Sequence, residues 1–321
     1  MQGIGHTPLL KLQALAGPDD AEVWVKWEGA NPTGSMKDHM ALAMVEGAER
    51  RGDLKPGGRV IDYTGGSTGT SLAMVCAAKG YRALFVTSDC FAESKLRSMR
   101  AFGAELEVFP SVNRRITAEL MQDLIARVRE LAAEPDTFWT DQFNNPDNRN
   151  AYHEMAEEIV ESLGAAPDEF VMGVGTGGAF SGNAEVLKPL GTRCVALEPA
   201  NLRSLSEAVG ARPDHYPNTL TPKHPDSAPA ERSHRLEGMG PGFVASICRL
   251  DLADEIMPVT DEDAYRTAGE LARREGIFGG ISSGCNVWAA LQRARAIGRG
   301  RRIVTLVADS GLKYLEGDLF G

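Results

Sequence analysis

The sequence predicts an α/β protein in which a parallel sheet is covered by helices on both faces. Two observations support this. Short apolar runs alternate with stretches of helical period along most of the chain, the order expected of parallel strands joined by crossover helices. Three turns rich in Gly, Ser and Thr, at 64–69, 173–178 and 282–284, fall where a strand hands over to a helix. With 321 residues, 43% of them hydrophobic, the chain suffices for one large or two medium domains with a substantial core.

The elements follow in order. Residues 23–27 form an alternating apolar run and predict a strand. Pro32 and Gly34 then turn the segment 31–38 into a helix from about 36 to 51. Ser35 is expected as its N-cap, with Asp38 three residues on as the capping acid. Lys37 thereby falls in the first helical turn, where partial positive charge disfavours an ammonium. That field and burial lower a lysine pKa and leave a nucleophilic amine. After the turn-rich 52–58 come a strand at 59–63, the 64–69 turn and a helix to 78. A strand at 83–87, a helix at 93–102, a strand at 105–109, a helix at 118–132 and a strand at 138–140 follow. Residues 142–146, Gln-Phe-Asn-Asn-Pro, break the alternation. One helix is expected over 149–163, then a strand at 170–174, the 173–178 turn, a helix and a strand at 193–197. Residues 201–242 are rich in Pro, His and Ser with little periodicity, and so long a loop is usually functional. The end is regular again: strand 256–259, helix 262–274, the 279–284 turn, a helix to 297 and strand 303–308. No repeat is visible, and no regulatory domain is expected after Gly321.

Net charge is −10 without a long basic run, which argues against nucleic acid or an anionic membrane as partner. No apolar stretch approaches the roughly 20 residues that span a bilayer. Residues 1–12 have neither a basic leader nor an apolar signal core. Five cysteines, Cys76, Cys90, Cys194, Cys248 and Cys285, lack CxxC spacing and read as reduced thiols of a cytoplasmic protein without a metal cluster.

In a parallel sheet, turns at the carboxyl ends of strands converge on one crevice. Glycines let backbone amides approach an anion there, and the helix N-terminus adds a favourable field. Tight strand–helix packing explains one such turn alone; three turns with a helix-start lysine point to an anionic cofactor. The turn at 173–178 admits a second reading. Gly173, Gly175 and Gly178 fit GxGxxG, and Glu198 follows about 20 residues on, where a dinucleotide fold places its ribose acid. An NAD-dependent oxidoreductase is therefore the distant alternative, although it leaves Lys37 and the other turns unexplained.

Eight segments, taken in order, account for all of these features: 5–9, 31–38, 64–69, 142–146, 175–179, 238–243, the turn containing Ser282, and 309–311. They resemble GNTPL, NPTGSxKD, TSGNTG, QFxNP, GTGGT, GIGxGF, GISSG and DSG of the fold-type II pyridoxal-phosphate enzymes. The likeness is to the catalytic core of the cysteine synthase and cystathionine β-synthase family. It implies two doubly wound open sheets with helices on both faces, as in the tryptophan synthase β chain, and pyridoxal 5′-phosphate as cofactor. It assigns the Schiff-base lysine to Lys37, the phosphate cradle to Gly175, Thr176, Gly177 and Gly178, and the pyridine-nitrogen contact to Ser282. Thr64, Gly65, Ser67, Thr68 and Gln142 would hold the substrate carboxylate, with Ser67 also near the cofactor and Gly238 beside the substrate. A homodimer is implied, with a small mobile domain at 40–143 and a large cofactor-binding domain at 1–39 and 144–321.

Three departures concern the substrate. Ser67 stands where the family has asparagine, which predicts a larger or water-filled pocket at that point. Ala179 replaces a threonine, removing one phosphate hydroxyl, and Tyr63 replaces a small residue or proline. The insert at 201–237 is longer than expected. The reaction implied is β-replacement on an activated serine, O-acetylserine or a relative, by sulfide or another nucleophile. A neutral Ser282 hydroxyl would moderate the electron sink and favour prompt loss of the β-group. The alternative on the same cofactor is a β-eliminating lyase or dehydratase acting on serine or threonine.

Overall fold

The computed structural model describes residues 1–113, 118–210 and 234–321. They form two sheets. In the first, β1 (Leu9–Lys11) runs antiparallel to β2 (Glu22–Trp27). At three residues β1 is too short to show a period, so it lies outside the predicted elements. The other strands of this sheet are parallel: β7 (Glu169–Gly173), β8 (Arg193–Pro199), β9 (Glu255–Val259) and β10 (Arg302–Val307). Their order is β1-β2-β10-β7-β8-β9. The second sheet is wholly parallel, β5 (Glu105–Phe109), β4 (Arg82–Ser88), β3 (Arg59–Tyr63) and β6 (Thr137–Trp139) in that order.

The strand order reverses at β7. The chain steps outward through β8 and β9, then returns as β10 on the other side of β7, and ligands of open α/β sheets bind where such a reversal parts the strand ends. Here the parting is direct. β10 pairs with β2 along its whole length but with β7 only at Ile303 and Val304. Beyond that point two side chains span the gap. The Thr305 hydroxyl donates to the Val171 carbonyl at 2.6 Å. Asn286 accepts the Gly173 amide at 2.8 Å and donates to the Leu306 carbonyl at 2.9 Å.

Helices α1 (Lys37–Arg51), α2 (Ser67–Lys79), α6 (His153–Leu163) and α7 (Gly178–Leu187) fill the layer between the sheets. Met44, Leu72, Met155, Phe170 and Phe180 are buried there, each worth about 1.5–3 kcal/mol of transfer free energy. α4 (Ala118–Ala132) covers the far face of the second sheet over Ile61 and Val86. α9 (Asp261–Glu270), continued by a π-helical turn at Leu271–Glu275, and α10 (Ile281–Ile297) cover the far face of the first. α3 (Glu93–Ala101) packs beside α2, burying Leu96 and Met99.

Two expectations change. The single helix over 149–163 is two, α5 (Pro146–Asn150) and α6. Asn145 caps α5 by accepting the Asp147 amide, and the chain then bends so that Tyr152 enters the core, its hydroxyl donating to the Met36 carbonyl at 3.2 Å. The segment 201–242 contains α8 (Ser204–Gly210), while residues 211–233 of the insert lie outside the described ones. All five cysteines are free, with Cys76, Cys194 and Cys285 buried. No helix among the described residues is long and apolar enough to cross a membrane.

Candidate active site

The end of β10 organises the site. Met36 donates its amide to the Ala308 carbonyl at 2.9 Å, and Ser310 donates to the Gly34 carbonyl at 2.9 Å. On the other side, Gly280 donates to the Asp309 carbonyl at 3.2 Å. Residues 308–310 thus lie between the loop that starts α1 and the turn that starts α10. The predicted capping box does not form. Ser35 Oγ accepts the Lys37 amide at 3.2 Å, and Met36 holds the cap position. Asp38 folds back past Ser35 onto Thr33, accepting its amide at 2.8 Å and its hydroxyl at 2.6 Å, because the turn at Gly34 (φ 69°) presents Thr33 to it.

Lys37 is half-buried, and its Nζ makes no hydrogen bond or ion pair with a described residue. Burial lowers its pKa to about 8; Asp309 opposes the shift and the Lys313 ammonium adds to it. Met36, Lys37, Met172, Gly175, Thr176 and Phe180 line one pocket.

The turn after β7 fits an anion. A Cβ at Gly175 would overlap the Gly238 carbonyl, and one at Gly177 (φ 82°) would overlap Cys248, so backbone alone fits. α7 begins at this turn with no side-chain cap and no acid in its first turn. Thr176 Oγ1 accepts the Gly178 amide and the Asn148 side-chain amide, both at 3.3 Å. With both lone pairs engaged, its proton is free to be donated. Asn148 also donates to the Gln142 carbonyl at 2.6 Å, tying the cradle to the next set of residues. Ala179 is buried and lines the same pocket.

Thr64, Gly65, Ser67 and Thr68 lie at the start of α2, whose first turn again lacks a side-chain cap and an acid. The Thr68 hydroxyl donates to Gln142 Oε1 at 3.1 Å, leaving the Gln142 side-chain amide as a donor. The absence of a side chain at Gly65 has a packing cause, since a Cβ there would overlap the Phe91 ring. The space beside Ser67 is not simply larger or wet: Lys313 Nζ reaches it and donates to Ser67 Oγ at 3.2 Å.

Ser282 stands in the first turn of α10 and its hydroxyl makes no hydrogen bond with a described residue, whereas the hydroxyl of its neighbour Ser283 accepts the Ala308 amide at 3.1 Å. Gly238 (φ 82°) places its carbonyl against Gly175, and Gly240 donates to the Val174 carbonyl at 3.0 Å. From this segment an aromatic chain crosses to the second sheet, Phe243 to Phe143 at 5.2 Å and Phe143 to Tyr63 at 6.1 Å. Glu198, the acid of the dinucleotide reading, is already engaged. It is buried, accepts the Leu205 and Ser206 amides at 2.9 and 3.2 Å, and so caps α8 instead of facing a ribose.

Sequence reasoning missed Asn286, Asn148, Lys313 and Asp62. Asn286, four residues after Ser282 on one helix face, was within reach of spacing arguments; the others were not. Asp62 accepts the Thr140 hydroxyl at 2.6 Å and ties the end of β3 to that of β6, which carry Thr64 and Gln142. Burial raises its pKa to about 7.

Comparison with known proteins is consistent across the chain. Residues 1–309 match the model of the family described as "Pyridoxal-phosphate dependent enzyme". A cysteine synthase of Staphylococcus aureus (strain Mu50 / ATCC 700699) is 37% identical over 322 residues, covering 99% of this chain and 96% of that protein. The structure is similar to that of an O-ureido-L-serine synthase, with TM-score 0.86 and 34% identity over 99% of this chain and 93% of that one. It is also similar to a hydrogen sulfide-producing enzyme from Fusobacterium nucleatum, with TM-score 0.84 and 36% identity over 98% of this chain and 96% of that one.

Proposed function

This chain belongs to the family of pyridoxal-phosphate dependent enzymes, and from that membership we propose that it catalyses β-replacement on an activated serine such as O-acetylserine, with sulfide or another small nucleophile adding at Cβ. The observation that carries the proposal is Lys37, an amine without an ion-pair partner among the described residues, depressed to a pKa of about 8 and facing an uncapped helix N-terminus across one pocket.

The residues present suit the cofactor. The amides of Gly175 and Gly177 and the free proton of Thr176, whose oxygen the Gly178 amide holds in place, would hold its phosphate, Lys37 its aldehyde carbon, and the Ser282 hydroxyl, unpartnered among the described residues, its ring nitrogen. When bound, pyridoxal 5′-phosphate supplies the electron sink for the pair released at Cα. The chain supplies the rest. The uncapped start of α2 and the side-chain amide of Gln142, which the Thr68 hydroxyl orients, hold the substrate carboxylate, and Ser67 and Gly238 flank it. Lys37, neutral above about pH 8, takes the α-proton. We read 40–143 as a mobile small domain closing on 1–39 and 144–321, and the protein as a cytoplasmic homodimer.

The test is turnover of O-acetylserine with and without sulfide. Sulfide-dependent cysteine formation supports replacement; oxoacid and ammonia released equally without sulfide would favour the serine or threonine dehydratase instead. The holoenzyme should absorb visible light, and borohydride should fix the cofactor on Lys37. Mass spectrometry placing the adduct on another lysine would remove the carrying observation. A pH profile gives a further check. With substrate deuterated at Cα, the isotope-sensitive step should slow as pH falls through about 8, because the amine then holds its proton. A flat profile from pH 6 to 9 would contradict Lys37 as base.

A further inference from the structure

Lys313 sits in the single turn Gly311–Tyr314 that follows β10. Its stem lies against the Lys37 loop, with Cε 3.7 Å from where a Cβ of Gly34 would be. Its ammonium crosses the cleft to Ser67 Oγ at 3.2 Å. No ion pair to a described residue engages it. Lys95 of α3 differs: it is ion-paired with Glu237 and lies 5.2 Å over the Tyr314 ring. The nearby acid Asp309 is buried, accepts the Tyr314 hydroxyl at 2.8 Å, and is pushed by burial toward its neutral form. Lys313 is therefore a half-buried cation with one N–H on a hydroxyl and two for a ligand. An unpaired cation so placed opposes folding, and an incoming anion removes that cost.

On the reading of 64–68 and Gln142 as the carboxylate grip, we propose that Lys313 selects substrate by receiving a second anion, the phosphate of a serine phosphate ester, so that the preferred donor is the anionic member of the activated-serine class. The other substituents of the substrate are already accounted for. The amino group goes to the cofactor, the carboxylate to the start of α2, and the α-proton to Lys37. Only the group on Cβ remains to meet a third charge. In the reaction, the proton on Cα passes to Lys37 and the pair of the Cα–H bond closes a Cα–Cβ double bond as the Cβ–O bond breaks. Phosphate leaves with the Cβ–O pair, its charge facing Lys313. Hydrosulfide supplies the pair of the new Cβ–S bond and Lys37 returns its proton to Cα, giving cysteine and inorganic phosphate.

The experiment compares the holoenzyme with Lys313→Met and Lys313→Arg, using O-phosphoserine and O-acetylserine with sulfide. Inorganic phosphate serves as inhibitor and, by calorimetry, as a direct ligand. The wild type should favour O-phosphoserine. Lys313→Met should cut the kcat/KM ratio of O-phosphoserine to O-acetylserine by about 10- to 100-fold and weaken phosphate binding by a similar factor, the range of one charged hydrogen bond. Lys313→Arg should keep most of both. Equal loss for the two donors would overturn the proposal, since Lys313 would then serve the shared carboxylate. A changed pH profile with an unchanged donor ratio would overturn it too, placing Lys313 behind Lys37 alone. Should neither donor turn over nor perturb the visible spectrum while the cofactor stays bound, the broader β-replacement reading falls and takes this one with it.

Discussion

Lys37→Ala should leave the fold intact and lower turnover by about 1,000-fold or more, since general base catalysis alone contributes 10²–10⁴ and the covalent anchor is lost as well. The fold should survive because the backbone contacts around position 37 do not use its ammonium: Met36 and Ser310 hold the loop to β10 through amides and carbonyls. A second effect separates the amine from its neighbours. With the cofactor removed, Lys37 has a folded pKa of about 8 against an ordinary 10.5. The charged form is thus disfavoured in the native state. The resulting destabilisation is complete below about pH 8, shrinks as pH rises from 8 to 10.5, and is absent above. Lys37→Met, which keeps the stem, should stabilise the cofactor-free protein at pH 7. Each pKa unit is worth about 1.4 kcal/mol; discounted for the amine's opening onto the cleft, the gain should be about 1–2 kcal/mol. Denaturant midpoints at pH 7 and pH 10.5 measure it. A variant equally stabilised at both would show that packing, and not the charge, had changed.

Much of this was legible in the sequence for physical reasons. Lys37 stood out because a cation at a helix start opposes the backbone field, and the structure keeps it there with no counter-ion in contact among the described residues. The strands of the second sheet were legible because short apolar runs bounded by turns have few alternative readings; β3 and β5 fall on their predicted residues. What was hidden is non-local. Lys313 meets Ser67 across 246 positions, and nothing in either neighbourhood announces the other. The serine read as vacated space is half of a polar contact between the start of α2 and the turn after β10. Glu198 shows the reverse error. Its spacing from the glycines was right for a dinucleotide, but spacing cannot reveal that the next helix would bury the carboxylate as its cap. The break between α5 and α6 was hidden because Tyr152 fits a helical pattern; its tertiary bond to Met36 decides the bend.

Gly177→Asp should abolish cofactor retention, weakening it at least about 100-fold. Three causes add. Gly177 has φ 82°, which an L side chain rarely adopts. A Cβ there would overlap Cys248, whose backbone amide donates a hydrogen bond to the Ala245 carbonyl at 3.0 Å. A carboxylate at the start of α7 would also spend the field and amides that a phosphate needs, since no acid now occupies that first turn. Gly177→Ala shares the first two causes and lacks the third, so the difference between the variants isolates the charge. Thr176→Val removes the one hydroxyl proton of the cradle while keeping its shape, and should weaken the cofactor by about 10- to 100-fold, the worth of a hydrogen bond to a charged group. In the opposite direction, Ala179→Thr adds a hydroxyl at the pocket wall and should tighten it. Cofactor titration of the four variants, each checked for folding by thermal melt, gives the order expected: Ala179→Thr tightest, then Thr176→Val, Gly177→Ala and Gly177→Asp. If Gly177→Asp melts like the wild type and still holds the cofactor at wild-type affinity, the phosphate does not lie at the start of α7, and the uncapped start of α2 becomes its site.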